Sequence, residues 1–235
     1  MKGKNKKPTL SIIVPVFNEE KTVLPLLEKV QKVKLMGLAK QIVVVNDGSS
    51  DGTARLLGKV KSSNVEIYHH EVNRGKGAAI RTAIPHTTGD FVVVQDADLE
   101  YDPNDYKTLL VPLLEGKTDV VYGSRFMGPH RAFLFLHYVG NKFLSLMTNI
   151  LYNTTITDME TCYKLFRGDI IRSLKLRSNR FEFEPEVTAK ILKKGYKLFE
   201  MPISYHGRGF EEGKKITWRD GITALVTLIR YRFTD

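Results

Sequence analysis

Hydrophobic and polar positions in the first half of the chain follow two alternating patterns. Short continuous runs of mostly valine and isoleucine alternate with stretches in which apolar residues recur every three or four positions. The continuous runs predict strands at residues 10–16, 41–45, 65–69, 91–95 and 119–122. The periodic stretches predict helices at residues 19–33, 53–61, 75–84 and 103–116. Continuous apolar runs are typical of strands covered on both faces, so we predict a parallel α/β sheet of the doubly wound kind.

The second half of the chain has a less regular pattern. It predicts strands at residues 162–166 and 198–205 and helices at residues 133–152, 168–174, 184–194 and 217–233. The most apolar stretch, residues 133–151, is interrupted by polar residues such as His137 and Lys142, so it fails the test for a span of about 20 apolar residues. The lysine-rich residues 1–8 are typical of a loose tail, and we expect one domain over residues 9–235.

Composition adds a charge asymmetry to this picture. The 235 residues include 36 Lys and Arg and 26 Asp and Glu, which gives a formal net charge of +10. Residues 1–125 contain 18 basic and 15 acidic side chains, whereas residues 126–235 contain 18 and 11. The excess positive charge therefore lies in the second half, which raises the question of which anion meets it. The single cysteine excludes a disulfide framework and a cysteine-rich zinc site.

Two carboxylates follow the fourth predicted strand, in the sequence Gln95-Asp96-Ala97-Asp98. Side chains at positions i and i+2 of a strand point the same way, and doubly wound sheets bind ligands beyond the carboxyl ends of their strands. Asp96 and Asp98 can therefore face one divalent cation, which prefers carboxylate oxygens together with substrate phosphates. The alternative is that one or both of them cap the helix that begins near Pro103.

Two glycine-containing loops lie at the same predicted edge of the sheet. Asp47 follows the second strand and could accept hydrogen bonds from a base or ribose, or it could stabilise a plain turn, whereas Asp51 or Thr53 would cap the next helix. Gly75 begins a helix with Lys76 beside it. This arrangement lets backbone N–H groups approach a phosphate, and it equally fits an ordinary glycine-containing helix entry.

Basic residues of the second half form the last candidate set. Arg125 follows the fifth strand, and Arg131 and the charged loop at residues 206–215 come later. Arginine binds phosphate through paired hydrogen bonds and lysine binds it as a point charge, while a solvated charged loop is the alternative. The histidines show no metal-ligand spacing, and Cys162 is expected to be a small buried hydrophobe.

Five short motifs follow one another along the chain: Val14-Pro15-Val16-Phe17-Asn18-Glu19-Glu20, Val45-Asn46-Asp47-Gly48-Ser49, Gly75-Lys76-Gly77, Asp96-Ala97-Asp98 and Gly123-Ser124-Arg125. In this order they resemble glycosyltransferase family 2, whose members have the GT-A fold. More narrowly, the chain resembles the dolichol-phosphate mannosyltransferase and polyprenyl-phosphate glycosyltransferase branch, and residues 158–167 and 200–205 continue the likeness. The resemblance implies a Rossmann-like, mostly parallel sheet flanked by helices, with a nucleotide-sugar half at residues 9–125 and an acceptor half at residues 126–235.

The resemblance implies roles for residues on the donor side. Asp96 and Asp98 would hold Mg²⁺ or Mn²⁺ against the diphosphate, and Glu100 falls where some relatives have a third polar contact to the metal. Asp47 would read the base of a GDP- or UDP-linked sugar. The residues expected around the nucleotide sugar are Pro15, Asn18, Glu19, Asp47, Gly75, Lys76 and Asp96.

The resemblance also implies a phosphate-binding acceptor side. Arg125 would meet the acceptor phosphate. Relatives carry a basic residue in the helix that follows, and either Arg131 or His137 matches that position here. The basic residues expected to close over the diphosphate or the acceptor are Arg208, Lys214 and Lys215.

The implied reaction is an inverting, metal-dependent transfer of a hexose from a nucleotide diphosphate sugar to a polyprenyl phosphate such as dolichyl or undecaprenyl phosphate. Asp98 and Arg125 would be catalytic, and an acceptor that is already anionic needs no strong base. The alternative acceptor is a hydroxyl of a glycan or glycolipid. A carboxylate must then take its proton, with Asp158 as the first candidate and Glu160 as the next.

Two rival classes make different predictions. A nucleotidyltransferase should have a glycine- and arginine-rich segment after its first strand, whereas residues 16–21 are acidic. A nucleic-acid-binding module would leave the ordered carboxylate motifs unexplained, so no nucleic-acid partner is expected. The run at residues 10–14 is too short for a signal-peptide core, and we expect a cytoplasmic protein. The lysines at the start, the apolar residues 133–151 and the last helix with Arg230 and Arg232 predict peripheral attachment to an anionic membrane surface.

Overall fold

A seven-stranded sheet lies at the centre of the computed structural model, which describes residues 7–132, 134–207 and 218–234. The strand order across the sheet is β3-β2-β1-β4-β6-β5-β7. All neighbours pair in parallel except β6, which is antiparallel to both β4 and β5. The strands are β1 (Thr9–Val16), β2 (Ala39–Asp47), β3 (Val65–His70), β4 (Phe91–Val94), β5 (Val120–Ser124), β6 (Lys164–Arg167) and β7 (Leu198–Pro202).

Helices cover the sheet and join its strands. Short 3₁₀ turns at Ile84–His86 and Pro103–Asp105 extend the end of α3 and precede α4. The eight helices within the described ranges are α1 (Val23–Lys32), α2 (Thr53–Leu57), α3 (Lys76–Ala83), α4 (Tyr106–Leu114), α5 (Phe135–Tyr152), α6 (Gly168–Ser173), α7 (Phe183–Lys193) and α8 (Trp218–Phe233). None of the described helices is long and apolar enough to cross a membrane.

The valine and isoleucine runs form the buried strands that the sequence predicts. β1 pairs with β2 over its whole length, but β4 pairs with β1 only as far as Ile13. Pro15 therefore sits where β1 has a paired neighbour on one side only, which is where a strand tolerates a residue without an N–H group. Most apolar side chains of β1, β2 and β4 are fully buried, and they form one core with the helices on both faces.

Several predicted boundaries are wrong by a few residues. The first helix begins at Val23 rather than at residue 19, and the strand predicted at residues 162–166 begins at Lys164. The helix predicted from residue 103 begins with a 3₁₀ turn, and Asp102 accepts the hydrogen bond from Asn104 N that caps this turn. The residue that caps this turn is thus Asp102 rather than Asp96 or Asp98.

The antiparallel strand β6 is the main departure from the all-parallel sheet that periodicity predicts. Since β4 and β5 are both antiparallel to β6, they are parallel to each other, and their carboxyl ends lie at the edge of the sheet where β6 begins. The loop at residues 157–163 therefore reaches the same edge as the polar residues after β1, β2 and β4. A second small apolar cluster joins α5, this loop and α8, and it contains Leu144, Ile156, Met159, Ala224 and Leu228. The division into halves at residue 125 stays a prediction.

Candidate active site

The loops after β1 and β2 form one wall of the candidate site. Asn18 adopts a left-handed backbone conformation with φ 53°, which asparagine tolerates better than most residues. Its N–H donates to Ser49 Oγ at 3.0 Å, and its Oδ1 accepts from Ser50 N at 2.8 Å. Glu19 N donates to Thr53 Oγ1 at 2.9 Å. Two of the residues predicted around the nucleotide, Asn18 and Glu19, therefore lie together at the sheet edge.

Asp47 lies at the end of β2 and is almost completely buried. Its Oδ1 accepts a hydrogen bond from Arg74 N at 2.9 Å and lies 2.6 Å from His70 Nδ1, while its Oδ2 accepts from Gly75 N at 2.7 Å. The carboxylate thus holds the loop before α3 against β2 and β3, a structural role that extends beyond the plain turn given as the alternative from the sequence. Its proposed contact with a base stays a prediction.

The glycines at the start of α3 are required by close packing. Gly75 has φ 99°, and a Cβ at this position would lie 2.3 Å from the carbonyl oxygen of Asn179. A Cβ at Gly77 would lie 2.6 Å from the carbonyl oxygen of Ser178. The segment before α7 therefore passes directly against the backbone of the loop at residues 75–77. This contact brings Glu184 of α7 to the side chain of Lys76.

Lys76 joins the first aspartate of the Asp96–Asp98 pair to α7. Its Nζ lies 2.9 Å from Asp96 Oδ1 and 2.8 Å from Glu184 Oε1, and all three side chains are mostly buried. Although burial by itself lowers the pKa of Lys76, the charges of Asp96 and Glu184 help to raise that pKa well above its usual value. The ammonium group is therefore a permanent cation held against Asp96.

The backbone turns sharply between Asp98 and Glu100. Leu99 has φ 64°, a strained conformation for a residue other than glycine, and Asp98 Oδ1 accepts a hydrogen bond from Glu100 N at 3.2 Å. Glu100 Oε2 in turn accepts from the hydroxyl of Tyr205 at 2.6 Å. Strain of this kind is found at functional sites, where the surrounding structure holds a side chain in a fixed direction.

The donor atoms at the end of β4 fit a hard divalent cation. Asp96 and Asp98 supply carboxylate oxygens, and the ammonium of Lys76 already occupies a cation position against Asp96. In the described part of the chain, no three Asp, Glu, His or Cys side chains converge as they would in a closed metal site. Mg²⁺ is commonly bound by one or two carboxylates together with substrate phosphates.

Arg125 and Asp158, both predicted to be catalytic, are paired with each other. Asp158 is fully buried, and its Oδ2 accepts from Arg125 N at 2.9 Å and from Arg125 Nε at 2.8 Å, while its Oδ1 accepts from Nη2 at 2.7 Å. The guanidinium carbon lies 5.3 Å from the ring centroid of Tyr205. Glu200 of β7, which the sequence did not single out, accepts hydrogen bonds from the N–H groups of Thr157 and Asp158. Asp158 therefore orients Arg125.

The other residues predicted to bind the acceptor are more exposed than Arg125 or lie outside the described residues. Arg131 is exposed, with its N–H donating to the carbonyl oxygen of Tyr205 at 3.1 Å and its Nη1 to that of Gly207 at 3.3 Å. His137 lies in the first turn of α5 and is partly exposed. The predicted residues Arg208, Lys214 and Lys215 lie outside the described residues.

Three charged residues at this edge escaped the sequence-based prediction of the site: Lys164, Glu184 and Glu200. Lys164 is fully buried, and its Nζ donates to the carbonyl oxygens of Met159 and Thr161. The available signal was a charged residue inside an apolar segment, as in the sequence Cys162-Tyr163-Lys164-Leu165-Phe166. A charge in such a segment is retained only where partners satisfy it.

Comparison with known proteins identifies the family of this chain as one of glycosyltransferases. Residues 11–174 match the sequence profile of glycosyl transferase family 2, and the chain belongs to this family. The low-salt glycan biosynthesis hexosyltransferase Agl6 of Haloferax volcanii is 29% identical over 97% of this chain and 55% of its own length. The dodecaprenyl-phosphate galacturonate synthase of Rhizobium johnstonii is 27% identical over 85% of this chain and 59% of its own length. The chain thus spans little more than half of each of these relatives.

A solved structure has the same GT-A fold. Glucosyl-3-phosphoglycerate synthase from Mycobacterium tuberculosis, crystallised with Mn²⁺, UDP and phosphoglyceric acid, superposes with a TM-score of 0.74. The alignment covers 96% of this chain and 79% of that one, at 18% identity. The prediction of a mostly parallel sheet flanked by helices is therefore confirmed.

Proposed function

We propose that this chain transfers a hexose, with inversion, from a nucleotide diphosphate sugar to a polyprenyl phosphate. The observation that carries the proposal is the cation–carboxylate contact at the end of β4, where Lys76 lies against Asp96 and Asp98 follows two residues later. Membership of glycosyl transferase family 2 and the similarity to a dodecaprenyl-phosphate galacturonate synthase support it. The sugar would be linked to GDP or UDP.

The donor would bind across the loops at the carboxyl ends of β1, β2 and β4. Mg²⁺ or Mn²⁺, held by Asp96 and Asp98 together with substrate phosphates, would supply positive charge for the leaving diphosphate. Glu100, whose Oε2 accepts from Tyr205, would become a third contact only after its side chain turns toward the ion. Lys76 would add a second positive charge beside the same carboxylate. The residues proposed to surround the nucleotide are Pro15, Asn18, Glu19, Asp47 and Gly75.

The acceptor phosphate would lie on the side of Arg125. A polyprenyl monophosphate is anionic near neutral pH, so positioning by fixed positive charge contributes more than a strong base. Asp158 fixes the direction of the Arg125 guanidinium before any substrate arrives. Arg131 or His137, together with Arg208, Lys214 and Lys215, would complete this positive surface.

A lipid acceptor calls for contact with a membrane, and two neighbouring helices suit that contact. On α5 and α8, large apolar side chains spaced three or four residues apart are exposed, and the two helices pack against each other. α5 contains no acidic residue, and α8 ends with Arg230 and Arg232. We propose that this apolar surface of α5 and α8 lies on the cytoplasmic face of a membrane. Its residues are Phe135, Val139, Phe143, Leu146, Ile150, Ile222, Val226, Ile229 and Phe233.

The activity is tested with radiolabelled nucleotide sugars and a short polyprenyl phosphate. The native chain is expected to form a chloroform-soluble labelled product, and Asp98→Ala should reduce its rate on the order of 100-fold or more. Asp169→Ala, which removes an exposed aspartate of α6, is the matched control and should keep the native rate. Native turnover by Asp98→Ala would contradict the metal assignment. Label found only in a water-soluble glycan would show that the acceptor is a hydroxyl.

A further inference from the structure

Two glutamates near the candidate site have buried oxygen atoms without hydrogen-bond partners. Glu184 lies in the first turn of α7 and is 4% exposed, whereas Glu160 lies in the loop before β6 and is partly exposed. Glu184 Oε1 contacts Lys76 Nζ, but Glu184 Oε2 and Glu160 Oε1 have no partner among the residues that the structure describes. Burial of a carboxylate oxygen without a hydrogen bond is unfavourable, and a proton or a ligand would relieve it.

The loop that carries Glu160 is held firmly on both sides of this residue. Lys164 Nζ donates hydrogen bonds to the carbonyl oxygens of Met159 and Thr161, the two immediate neighbours of Glu160. Met159 N donates to a serine hydroxyl of α5, and Thr161 Oγ1 donates to a backbone carbonyl of β5. The backbone is therefore fixed while one oxygen of the glutamate between these residues stays unsatisfied. Fixed surroundings of this kind are what a side chain needs to act on a substrate with defined geometry.

Charged groups from four elements act on Glu160. They are Glu184 from α7, Lys164 from β6, Arg125 after β5 and Asp158 from the same loop. Burial and the charge of Glu184 raise the pKa of Glu160 to about 7, while Lys164 and Arg125 act in the opposite direction. A carboxyl group that titrates near neutral pH is well matched to proton transfer with a substrate.

Asp158, the other carboxyl of this loop, is differently placed. Both of its oxygens already accept hydrogen bonds from Arg125, and it is fully buried. Taking a proton at Asp158 would disrupt a buried ion pair, whereas one buried oxygen of Glu160 has no hydrogen-bond partner within the described ranges. The two carboxylates of this loop therefore differ in role. Asp158 orients Arg125, whereas Glu160 is the candidate for proton transfer.

We propose that Glu160 is the general base of the transfer reaction and that Glu184 is a positioning residue that keeps Glu160 basic. The Glu160 carboxylate takes the proton from the attacking oxygen of the acceptor while that oxygen forms its bond to the anomeric carbon. The bond from that carbon to the diphosphate oxygen breaks, and its electron pair leaves with the diphosphate. The proton then passes from Glu160 to solvent through the exposed part of the side chain.

This step rests on the proposed transferase function only in requiring an attacking oxygen that carries a proton. A phosphate monoanion, a sugar hydroxyl and water all meet that condition. Water matters for the test, because slow hydrolysis of the nucleotide sugar without an acceptor needs the same proton transfer. The role of Glu160 can therefore be measured even if the lipid acceptor proves wrong.

The first experiment measures the proton on Glu160 directly, by infrared spectroscopy of the complete chain from pH 5 to pH 9. We expect a protonated carboxyl band that disappears with a midpoint near pH 7 in the native chain and is absent from Glu160→Gln. Glu184→Gln should shift that midpoint to lower pH, because it removes a repelling charge. Glu115→Gln, at an exposed position of α4's C-terminal end, is the matched control and should leave the band unchanged. A native spectrum without this band would overturn the proposal.

The second experiment compares rates with binding. Glu160→Gln should lower kcat by about 100-fold or more for hydrolysis, and for transfer at a pH where the attacking oxygen of the acceptor carries a proton, with the affinity for the nucleotide diphosphate little changed. Formate or azide should restore part of the activity of Glu160→Ala, which a purely structural role would not allow. Native rates in Glu160→Gln, or a loss matched by an equal loss of nucleotide affinity, would overturn the proposal. Absence of transfer to a polyprenyl phosphate, with hydrolysis still dependent on Glu160, would instead refute the proposed acceptor alone.

Discussion

Arg125 and Asp158 form a buried ion pair joined by three hydrogen bonds. Lys76 is arranged in a similar way, between Asp96 and Glu184. An isolated charge is unfavourable in a buried environment, so each partner depends on the other. Charged residues of this site are therefore paired, and a substitution at one of them leaves its partner buried without a counter-charge.

Asp158→Asn tests this dependence at the level of stability. The variant keeps the shape of the side chain but leaves the guanidinium of Arg125 buried without its counter-charge. We expect the free energy of unfolding to fall by about 3–5 kcal/mol, measured by chemical denaturation. Asp169→Asn removes the corresponding charge from the exposed pair with Arg167 and should change it by less than about 1 kcal/mol. Equal effects of the two substitutions would contradict the buried pairing.

Glu160 gives the stability of the chain a defined pH dependence. Its pKa is about 7 in the folded chain and 4.5 as the ordinary value, so the folded chain binds more protons between these two values. The contribution of Glu160 to stability is therefore present at low pH and is lost as the pH rises from about 4.5 to about 7. Relative to Glu160→Gln, the native chain should lose up to about 3 kcal/mol of unfolding free energy across this window.

Denaturation at pH 4.5, 6 and 7.5 measures this difference. Lys164, whose pKa burial lowers to about 8 against the charges of Glu184, Glu160 and Asp158, titrates above that window in the native chain. The same stability difference between native chain and variant at all three pH values would show that Glu160 titrates normally.

At the scale of elements, the start of α3 is placed by its contact with the segment before α7. Gly75 and Gly77 allow this contact, and it brings Lys76 within reach of both Asp96 and Glu184. The glycines of the Gly75-Lys76-Gly77 motif thus serve in the first place to allow close packing of the two backbone segments. Any approach of their N–H groups to a phosphate depends on that packing.

Gly77→Ala is expected to destabilise the chain and to displace Lys76. A Cβ at this position would lie 2.6 Å from one backbone oxygen and 2.9 Å from another, so the two segments must move apart. Overpacking of this kind costs about 1–3 kcal/mol, which thermal or chemical unfolding would detect. Gly140→Ala in α5 is the control, because a Cβ there meets no atom of the described residues within 4 Å and should stabilise the helix by about 0.5–1 kcal/mol. A stable Gly77→Ala would show that the segments are not in contact.

The sequence predicts the elements well where one local signal decides them. Valine-rich runs specify β1, β2 and β4, and the three-to-four residue spacing specifies α1. The direction of β6 was not predictable, because its four residues carry no mark of parallel or antiparallel pairing. The Arg125–Asp158 pair was equally out of reach, since its members are 33 residues apart and meet only through the tertiary fold. The candidate metal-binding residues Asp96 and Asp98 could be predicted, because they directly follow β4 in the sequence.

At the scale of the whole molecule, the apolar surface of α5 and α8 lies outside the sheet edge that carries the candidate site. Both helices bury one side in the small cluster around Leu144 and Leu228 and expose the opposite side. Ordinary surface helices present polar side chains in that direction. The charge asymmetry of the sequence is consistent with the proposed contact between these helices and an anionic membrane, because the basic excess falls in the half that contains both helices.

The double variant Phe143→Glu/Val226→Glu tests attachment to a membrane. We expect the native chain to co-sediment with vesicles containing anionic phospholipid at low salt and to be partly released at high salt, as basic side chains are screened. The double variant should bind much more weakly, because each change removes buried apolar area and adds repulsion. Leu114→Glu, at an exposed apolar position of α4, is the matched control and should bind like the native chain. Equal sedimentation of the native chain, the double variant and Leu114→Glu would contradict the proposal that this surface binds the membrane.

The position of β6 between β4 and β5 has a consequence for biosynthesis. The strand that joins these two neighbours is contributed by residues 164–167, well after both have been translated. Strands that are far apart in sequence pair late in folding, because the entropy cost of closing the long loop between them must be met first. We therefore expect a nascent chain to complete the edge that presents Asp96 only after the loop with Asp158 and Glu160 has emerged from the ribosome. Donor binding and acceptor chemistry would then arise together, in a single folding event.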